Sequence, residues 1–443
     1  MSKSSEKINV GVLSLHNSRE TKAILNSVDA LGHDSMWIRR ENVEIMIEGE
    51  EVKVKPDVDI VVNRLLLTKM EQPTEGFGLA SMFSKVKPML NPPEACITAI
   101  HKFATATLLA REGIPVPDAL LTLDHKRLNR KKERFGQTAV YKTTIGTNGG
   151  GTWRVEKENR INPQMGQREA FLQEFVNSGQ ERNSDLRVYV VGGKVIGSMS
   201  RYAPKGDWRT NVSLGGEIEN AEKILTKELE DISVRATEVL GLDYAGVDIV
   251  EGKNGWKVLE VNPTAGFRGL YRATGICVAP YIAELAIIRA GGTIEHEMVE
   301  KLSSKFDDSN PSSVPRRKKP EYEGDINIVD YITEVVVRGT RGYENVEAKA
   351  DTGAARTSIG MKLAARIGAG PILDTALVRT GNEKEGRTRP LVDIVVGIRG
   401  TQYTITASIE DRRHMDYQII LGNAPDNQGG FNEFKFHFDV NGN

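Results

Sequence analysis

A sharp change in composition between Ser303 and Asp325 constrains the fold of this chain more than any other sequence feature. The stretch reads SSKFDDSNPSSVPRRKKPEYEGD, which is rich in serine, proline and charge and poor in apolar residues. A segment of this kind cannot bury enough apolar surface to offset the entropy lost when it becomes ordered. The sequence therefore predicts a flexible linker at residues 294–325, followed by a separate C-terminal domain at residues 326–443.

Length, charge and cysteine content narrow the class of protein. A chain of 443 residues exceeds the size of a single core, and 59 Lys and Arg against 60 Asp and Glu leave no basic excess for nucleic acid. The first residues lack an export signal, no stretch could span a bilayer, and Cys96 and Cys277 cannot form a disulfide framework. We expect a cytoplasmic protein with neither nucleic-acid nor membrane partners.

Residues 1–92 are predicted to form an α/β domain. The apolar run INVGVLSL from Ile8 to Leu15 is followed by a helical pattern at Ser18–Gly32 and a second apolar run at Val58–Asn63. This is the pattern of a β-α-β unit. The first turn lacks G-x-G-x-x-G, so dinucleotide binding has no support.

Residues 93–293 are predicted to form an α+β domain with antiparallel strands. One long helix is expected at Glu94–Glu112, a second at Ala221–Leu240 and a third at Cys277–Ala290. The dipeptide Asn254-Gly255 predicts a hairpin turn between two strands. The predicted strands are Thr138–Lys142, Thr152–Val155, Phe171–Val176, Asp185–Val191, Lys194–Arg201, Ala245–Val250 and Trp256–Val261.

The glycine-rich loop GTNGGG from Gly146 to Gly151 follows Lys142 and joins two predicted strands. It lacks the lysine and hydroxyl of a Walker A loop, and it precedes a strand instead of a helix. Backbone N–H groups of Gly149 and Gly150 could approach phosphate oxygens while Lys142 supplies charge. A plain flexible hairpin remains the alternative.

A metal site is predicted from Asp248 on one strand and from Glu260 and Asn262 on the next. Mg²⁺ prefers oxygen ligands, and residues two apart on a strand share a face. However, a two-residue turn at Asn254-Gly255 would place Asp248 opposite Val261, on the wrong face. The metal hypothesis therefore requires an odd-length loop or a bulge, and a solvent-facing hairpin edge is the alternative.

A third group of polar residues lies at strand ends and in the loop YAPKGDWRTN. Cations of this kind can neutralise a triphosphate or clamp a carboxylate, although each could also be an ordinary surface charge. The group consists of Asp185, Arg187, Arg201, Lys205, Arg209 and Asn211.

Across residues 91–291 the sequence resembles the ATP-grasp superfamily and is most similar to the RimK-like ligases, the ribosomal-protein S6 glutamate ligase type. The resemblance implies that Lys102 and Lys142 contact the nucleotide phosphates and that Asp185 reaches the ribose. It also places Glu174 and Phe175 at the adenine hinge. The stretches that carry it are MLNPPEACITAIHKFATATLLAREGIPVP, AVYKTTIGTNGGGTWRV, FLQEFVNSGQERNSDLRVYVVGGKVIGSMSRYAPKGDWRTNVSLGG, AGVDIV and VLEVNPTAGFRGLYRATGI.

The same resemblance implies roles around the reacting groups. Arg209 and Asn211 are expected near the γ-phosphate and acceptor as catalytic residues, and Asp248, Glu260 and Asn262 on Mg²⁺ or Mn²⁺. Substrate contacts are expected from Arg64, Arg187, Arg201 and Arg268. The pair Phe267-Arg268 is more similar to the lysine-biosynthesis ligases than to the glutamate ligases.

The implied activity is that of an ATP-dependent carboxylate-amine ligase. An acceptor carboxylate takes the γ-phosphoryl group, and an amine, implied to be that of L-glutamate, then displaces phosphate to form an amide. Two alternatives stay open: an amino-acid or carrier-protein ligase of the lysine-biosynthesis kind, and a regulator that binds nucleotide and peptide without turnover.

Residues 326–443 are predicted to form a small, mostly β domain. Asp351-Thr352-Gly353 follows one strand, and a later strand ends in IILG. Through EAKADTGAARTSI, RPLVDIVV and DRRHMDYQIILGN the region resembles retropepsin-like domains of the RimB type, a family labelled ATP-dependent zinc proteases, although no zinc site is evident. The sequence departs from the pattern of that family at Asn423 and at Gly360-Met361.

The resemblance implies that Asp351 is catalytic. Because an aspartic protease needs two carboxylates and the chain has one such tripeptide, a homo-oligomer with paired C-terminal domains is expected. The alternative is a domain that binds peptide without cleaving it.

Overall fold

The computed structural model divides into two compact units, Met1–Pro315 and Arg316–Asn443. It describes residues 7–40, 42–70, 72–146, 151–161, 169–176, 182–204, 208–210, 216–311, 330–351, 354, 356–378, 387–398 and 400–422. No helix among these residues is both long enough and apolar enough to cross a membrane.

The N-terminal unit opens with a parallel four-stranded sheet in the order β2-β1-β5-β6. The strands of this sheet are β1 (Asn9–Leu13), β2 (Asp34–Ile38), β5 (Ile60–Asn63) and β6 (Met89–Leu90). Helix α1 (Arg19–Ala30) follows β1, helix α2 (Pro73–Val86) precedes β6, and β3 (Glu44–Glu48) and β4 (Glu51–Lys55) form a separate hairpin. The predicted β-α-β unit is present, but its second strand is β2. The strands β2, β3 and β4 were missed because a polar-rich segment and a charged hairpin give a weak apolar signal.

The predicted helix Glu94–Glu112 is wrong in one respect, because the structure has two helices there, α3 (Pro93–Ile100) and α4 (Lys102–Arg111). His101 leaves the helical conformation between them, and its side chain accepts a hydrogen bond from the Ala104 amide at 3.0 Å. The break places Lys102 at the start of a helix.

Two antiparallel sheets follow. The strands of the first sheet are β7 (Ala119–Leu121), β8 (Thr138–Thr143), β9 (Thr152–Glu156) and β10 (Ala170–Glu174), in the order β7-β10-β8-β9, and helix α5 (His125–Lys131) connects β7 to β8. The strands of the second sheet are β11 (Ser184–Val191), β12 (Lys194–Tyr202), β13 (Glu217–Asn220), β14 (Tyr244–Gly252) and β15 (Gly255–Asn262), in the order β13-β12-β11-β14-β15. Helix α6 (Lys227–Val239) connects β13 to β14. The expected antiparallel α+β organisation is confirmed.

Three helices follow β15: α7 (Arg268–Thr274), α8 (Ala279–Arg289) and α9 (His296–Ser303). Helix α7 packs on β12 and β13, α8 packs on α1, β1 and β5, and α9 packs on α8. Helix α9 buries Val299, and Phe306 packs against Phe267 with ring centroids 5.8 Å apart. The prediction of a flexible linker from residue 294 is therefore wrong for residues 294–311. Their apolar residues pack into the N-terminal core. The charged composition of the segment gives no indication of this packing.

Asn91 joins the N-terminal sheet to the five-stranded sheet. It is fully buried, with a left-handed φ of 57°. Its Nδ2 donates to the carbonyls of Tyr244 and Pro263, both at 2.8 Å, and its Oδ1 accepts from the Asp243 amide at 2.8 Å. These bonds hold the start of β14 next to the end of β15.

The C-terminal unit contains seven strands and one helix among its described residues. They are β16 (Ile332–Gly339), β17 (Gly342–Asp351), β18 (Ser358–Gly360), α10 (Met361–Ile367), β19 (Ile372–Val378), β20 (Arg387–Ile398), β21 (Thr401–Glu410) and β22 (Ile419–Gly422). The order is β16-β17-β22-β18-β21-β20-β19, and β16 also pairs with β20, so the sheet curves back on itself around an aliphatic core.

The contacts of Asn91 lead to a stability prediction. Asn91→Ala loses the side-chain hydrogen bonds and forces a left-handed conformation on alanine, so we expect destabilisation of about 3–5 kcal/mol. Asn91→Gly loses the same bonds without the conformational cost and should be about 1 kcal/mol more stable than the alanine variant. Urea unfolding followed by circular dichroism measures both. Equal stability of the two variants would contradict the conformational part of this prediction.

Candidate functional site

One face of the five-stranded sheet carries a row of polar side chains. On β11, Leu186, Val188 and Val190 point into the apolar core under α6. Their neighbours Asp185 and Arg187 must therefore point to the opposite face, because side chains alternate along a strand. The residues on this polar face are Asp185, Arg187, Arg201, Asp248, Glu260 and Asn262.

A β-bulge in the β14–β15 hairpin brings the predicted metal ligands together. The turn consists of Lys253 and Asn254, one residue earlier than predicted, which alone would pair Asp248 with Leu259. The register shifts between Asp248 and Ile249, so that Ile249 pairs with Val258 and Asp248 pairs with Glu260. The extra residue allows Val258 and Val261 to face the core while Glu260 and Asn262 face the site.

Asp248 lies at the centre of a buried chain of ion pairs. Its carboxylate accepts two hydrogen bonds from Arg187, at 2.5 and 2.6 Å, and lies 3.0 Å from Arg201 Nη2. Arg201 in turn makes two bonds to Asp185, at 2.6 and 2.7 Å. Burial alone would raise the pKa of the Asp248 carboxyl, but the two arginines outweigh it and hold the pKa well below its usual range.

These ion pairs differ from the roles expected for three residues. Arg187 and Arg201 were expected to contact substrate, but each uses two guanidinium nitrogens on protein carboxylates. Both Asp185 oxygens, expected at the ribose, are bound by Arg201, and Oδ2 also accepts from the Thr210 hydroxyl. The opposed strand positions cause this, because β-pairing sets Arg187 against Asp248 and Asp185 against Arg201.

The donor set at the hairpin fits a hard divalent cation. Asn262 Nδ2 lies 3.3 Å from both Asp248 Oδ2 and Glu260 Oε1, so the three side-chain heads meet at one point. Two carboxylates and an amide are the oxygen ligands that Mg²⁺ takes alongside substrate phosphates. A group of three or more His, Cys, Asp or Glu residues suited to a metal is absent from the described residues.

Two lysines approach the same carboxylates. Lys102 Nζ donates to the Gly146 carbonyl at 2.6 Å and lies 4.0 Å from Glu260 Oε2. Burial lowers the pKa of the Lys142 ammonium to about 8, and the like charge of Lys102 adds to this, whereas Glu260 and Asp248 oppose it. The structure therefore gathers the two predicted phosphate ligands around the predicted metal ligands.

The predicted adenine hinge lies at the end of β10. Glu174 Oε2 accepts a hydrogen bond from Lys257 Nζ at 2.6 Å. The Phe175 ring packs edge-on against Trp208 at 5.7 Å, and the Arg154 guanidinium lies 5.2 Å from its centroid. Glu174 is thus tied to β15, and Phe175 is part of an aromatic and cationic cluster.

Arg64 follows β5 and is only 4% exposed. Its Nη1 donates to the Ala265 carbonyl at 3.4 Å, and its guanidinium lies 5.9 Å from the Phe267 ring. Its Nε has no hydrogen-bond partner in the part of the chain that the structure describes. A buried guanidinium with an unused donor is suited to an anionic ligand.

The other predicted residues of this site are less fully described. Arg209 and Arg268 are partly exposed, and Arg268 begins α7. Gly149, Gly150 and Asn211 lie outside the described residues, as does Lys205.

Several residues of the site were not predicted from the sequence. Thr210, Lys257, Arg154 and Trp208 make the contacts given above, and Gly246 allows close approach, since a Cβ there would lie 2.7 Å from the Ala265 Cβ. The glycine and Thr210 could have been suspected from their places beside Asp248 and Arg209. The other contacts join distant segments and leave no local signal.

In the C-terminal unit, Asp351 ends β17, which pairs in parallel with β22 so that Asp351 lies opposite Gly422. A Cβ on Gly422 would overlap the backbone of Arg356, so this position requires glycine. Asp351 and the IILG strand are therefore neighbours. Thr352, Gly353 and Asn423 lie outside the described residues.

Comparison with protein families and curated proteins gives a consistent result. The model of the RimK-like ATP-grasp domain matches residues 99–286. A tetrahydromethanopterin:α-L-glutamate ligase from Methanocaldococcus jannaschii is 33% identical over 219 residues, which are 48% of this chain and 74% of that protein. A probable α-L-glutamate ligase from Haemophilus influenzae is 30% identical over 249 residues, which are 55% of this chain and 81% of that protein.

Solved structures with a similar fold include the ATP-grasp ligase PsnB. In its complex with a minimal precursor, PsnB matches with a TM-score of 0.52 at 23% identity, over 64% of this chain and all of that chain. A second PsnB structure, with minimal precursor, Mg and ADP, has a TM-score of 0.51 at 22% identity, over 63% of this chain and 97% of that chain. These similarities establish the fold. Together with the extent of the match to curated ligases, they show that the chain belongs to the RimK-like ATP-grasp family of ligases.

Proposed function

We propose that this protein is an ATP- and Mg²⁺-dependent ligase that joins the amine of L-glutamate to a carboxylate acceptor. The observation that carries the proposal is the meeting of Lys102 and Lys142 with Asp248, Glu260 and Asn262 on one sheet face. The glutamate ligases among its relatives support the choice of amino acid.

In this proposal, some residues of the site bind the nucleotide and the metal, and others compensate the charge of those ligands. Lys102 and Lys142 bind phosphate oxygens, and Asp248, Glu260 and Asn262 would hold Mg²⁺, which supplies positive charge to the transferring phosphoryl group. Arg187 and Arg201 keep Asp248 ionised and fix its orientation. The acceptor carboxylate displaces ADP from the γ-phosphoryl group, and the amine then displaces phosphate, so no protein nucleophile is needed.

Arg64 and Arg268 are the side chains we assign to substrate carboxylates. The Nη1 of Arg64 makes one long bond of 3.4 Å to the Ala265 carbonyl, so a substrate carboxylate would be a stronger partner for this guanidinium. Arg209 and Asn211 retain their predicted roles near the γ-phosphate and acceptor.

For the C-terminal unit we propose a retropepsin-like domain that binds or hydrolyses the peptide product. The neighbouring positions of Asp351 and Gly422 on parallel strands support it. Hydrolysis through Asp351 requires a second carboxylate, which a second copy of the chain would supply.

The primary test is phosphate release with ATP, Mg²⁺ and a panel of amino acids, together with mass spectrometry of cell extract supplied with labelled glutamate. Glutamate-dependent phosphate release and products heavier by glutamyl residues are expected. Release with another amino acid but not with glutamate would support a ligase of the lysine-biosynthesis kind instead.

Glu260→Gln should reduce kcat for ligation by at least about 100-fold, because it removes a charged ligand from the proposed Mg²⁺ site. The Glu260 side chain is 28% exposed, so the melting temperature should change little. Glu251→Gln, on the exposed end of the same hairpin, is the matched control and should retain full activity. Unchanged turnover of the Glu260 variant at saturating Mg²⁺ would refute the metal assignment.

Nucleotide binding should take up a proton near pH 8. Because the pKa of Lys142 is about 8 in the free protein, this lysine is neutral in about half of the molecules at pH 8. Phosphate binding favours its charged form. At lower pH Lys142 is already charged in most molecules, so the proton uptake should fall towards zero near pH 6.5. Above pH 8 the charge is lost, so the KM for ATP should rise. Titration calorimetry in buffers of different ionisation enthalpy measures the proton count.

Lys142→Arg provides the control for this measurement, because arginine stays charged across this pH range. The variant should show no extra proton uptake at pH 8. Equal uptake by the variant and the native protein would assign the proton to another group.

Asp351→Asn should abolish any peptide hydrolysis and leave ATP-dependent ligation nearly unchanged. The reason is that Asp351 lies in the C-terminal unit, whereas the proposed ligase residues all lie in the N-terminal unit. Both activities can be followed on one preparation by mass spectrometry of glutamylated peptide. Hydrolysis that persists in the variant would exclude Asp351 as its catalytic group.

A further inference from the structure

A small cleft opens in the C-terminal unit between the start of α10 and the segment that follows β21. Its volume is about 200 Å³, which is below the roughly 300–1,000 Å³ of sites for drug-sized ligands. The cleft therefore suits one or two side chains of a peptide. It is lined by Met361, Lys362, Asp411, Arg412, Arg413 and Gln418.

The lining includes a buried arginine whose donors are only partly used. Arg412 is 4% exposed, and its Nε, which is closed off from solvent, has no hydrogen-bond partner among the described residues. Its Nη1 lies 3.2 Å from the thioether sulfur of Met415, which is a weak acceptor. In the described part of the chain, Nη2 has two oxygen partners, Ser358 Oγ at 2.5 Å and Glu410 Oε2 at 2.9 Å.

The carboxylate that compensates Arg412 is shared. Glu410 Oε1 lies 2.7 Å from Arg389 Nη2, while Glu410 Oε2 lies 2.9 Å from Arg412 Nη2. All three side chains are at most 14% exposed, so water screens this group poorly. Glu410 is thus shared by two guanidinium groups, and the Asp351 carboxylate also acts on Arg412.

The rim of the cleft adds a further cation. Lys362, in the first turn of α10, is exposed. Arg413 is neutralised by Asp411, to which it donates bonds of 2.8 and 2.6 Å. Lys362 therefore carries the outer charge of the cleft, whereas Arg412 is buried.

We infer that this cleft is a subsite for a carboxylate group of an acidic peptide, bound by Arg412 with Lys362 at the rim. A carboxylate oxygen would be a stronger acceptor for Arg412 Nη1 than the Met415 sulfur that it now contacts. The single outer charge of Lys362 suits a monoanion better than a phosphate dianion, because Glu410 and Asp411 lie close by.

The position of the cleft links it to Asp351. Burial lowers the pKa of the Arg412 guanidinium, and the Glu410 and Asp351 carboxylates oppose this change, so Asp351 lies within electrostatic reach of the cleft. A peptide anchored at Arg412 would lie near the proposed hydrolytic residue. The inference rests on the peptide-binding part of the proposed function and on neither ligation nor hydrolysis.

The test is binding of a fluorescein-labelled tri-α-L-glutamate peptide to the full chain, measured by anisotropy without ATP. Arg412→Gln should weaken the Kd roughly tenfold or more, because the guanidinium anchor is lost. Lys362→Glu, at an exposed position, should weaken it about threefold or more. Arg341→Glu, the same charge change at the turn between β16 and β17, is the matched control and should leave the Kd unchanged.

Each outcome decides the inference. If Arg412→Gln does not fold by circular dichroism, Lys362→Glu decides alone. Equal binding by native protein and Lys362→Glu, or equal binding of a tri-alanine peptide, would overturn the inference. Displacement of the peptide by inorganic phosphate but not by glutarate would indicate a phosphate site and overturn it as well. Ligation assayed in parallel distinguishes this failure from failure of the ligase function.

Discussion

The buried ion pairs around Asp248 are the interaction on which the arrangement of the site depends. A carboxylate in the middle of a sheet is costly unless cations compensate it, and removal of one partner of such a pair typically costs about 3–5 kcal/mol. Arg187 supplies that compensation from the adjacent strand β11, and Arg201 supplies it from β12, one strand further away. Since Arg201 also binds Asp185, the four side chains form one continuous chain across β12, β11 and β14.

This chain has a functional consequence. Its arginines keep Asp248 ionised and oriented, as the proposed metal site requires. Thr210 attaches the segment before Asn211 to the same chain through Asp185. Arg187 and Arg201 thus position Asp248, and their expected contacts with substrate stay a prediction.

A second constraint is the connection between the N-terminal sheet and the hairpin that carries the ligands. Asn91 lies at the end of the first predicted domain. Its side chain nevertheless donates to the carbonyls of Tyr244, where β14 begins, and Pro263, just after β15 ends. Helix α8 returns to pack on α1 in the same core. The N-terminal sheet thus positions Arg64 and supports the site instead of forming an independent module.

The sequence by itself determined the classes of strand and helix, the ligand types at residues 248, 260 and 262, and the division into two units. These properties are local, because apolar periodicity and side-chain chemistry can be read from neighbouring residues. Tertiary structure decided the register of the hairpin, the break at His101, the packing of residues 294–311 and the partners of Arg187 and Arg201. A one-residue bulge at Leu259 reverses the face of every later side chain, and its stability comes from Val258 and Val261 packing on distant helices. Such contacts join residues far apart in the chain, and no local pattern records them.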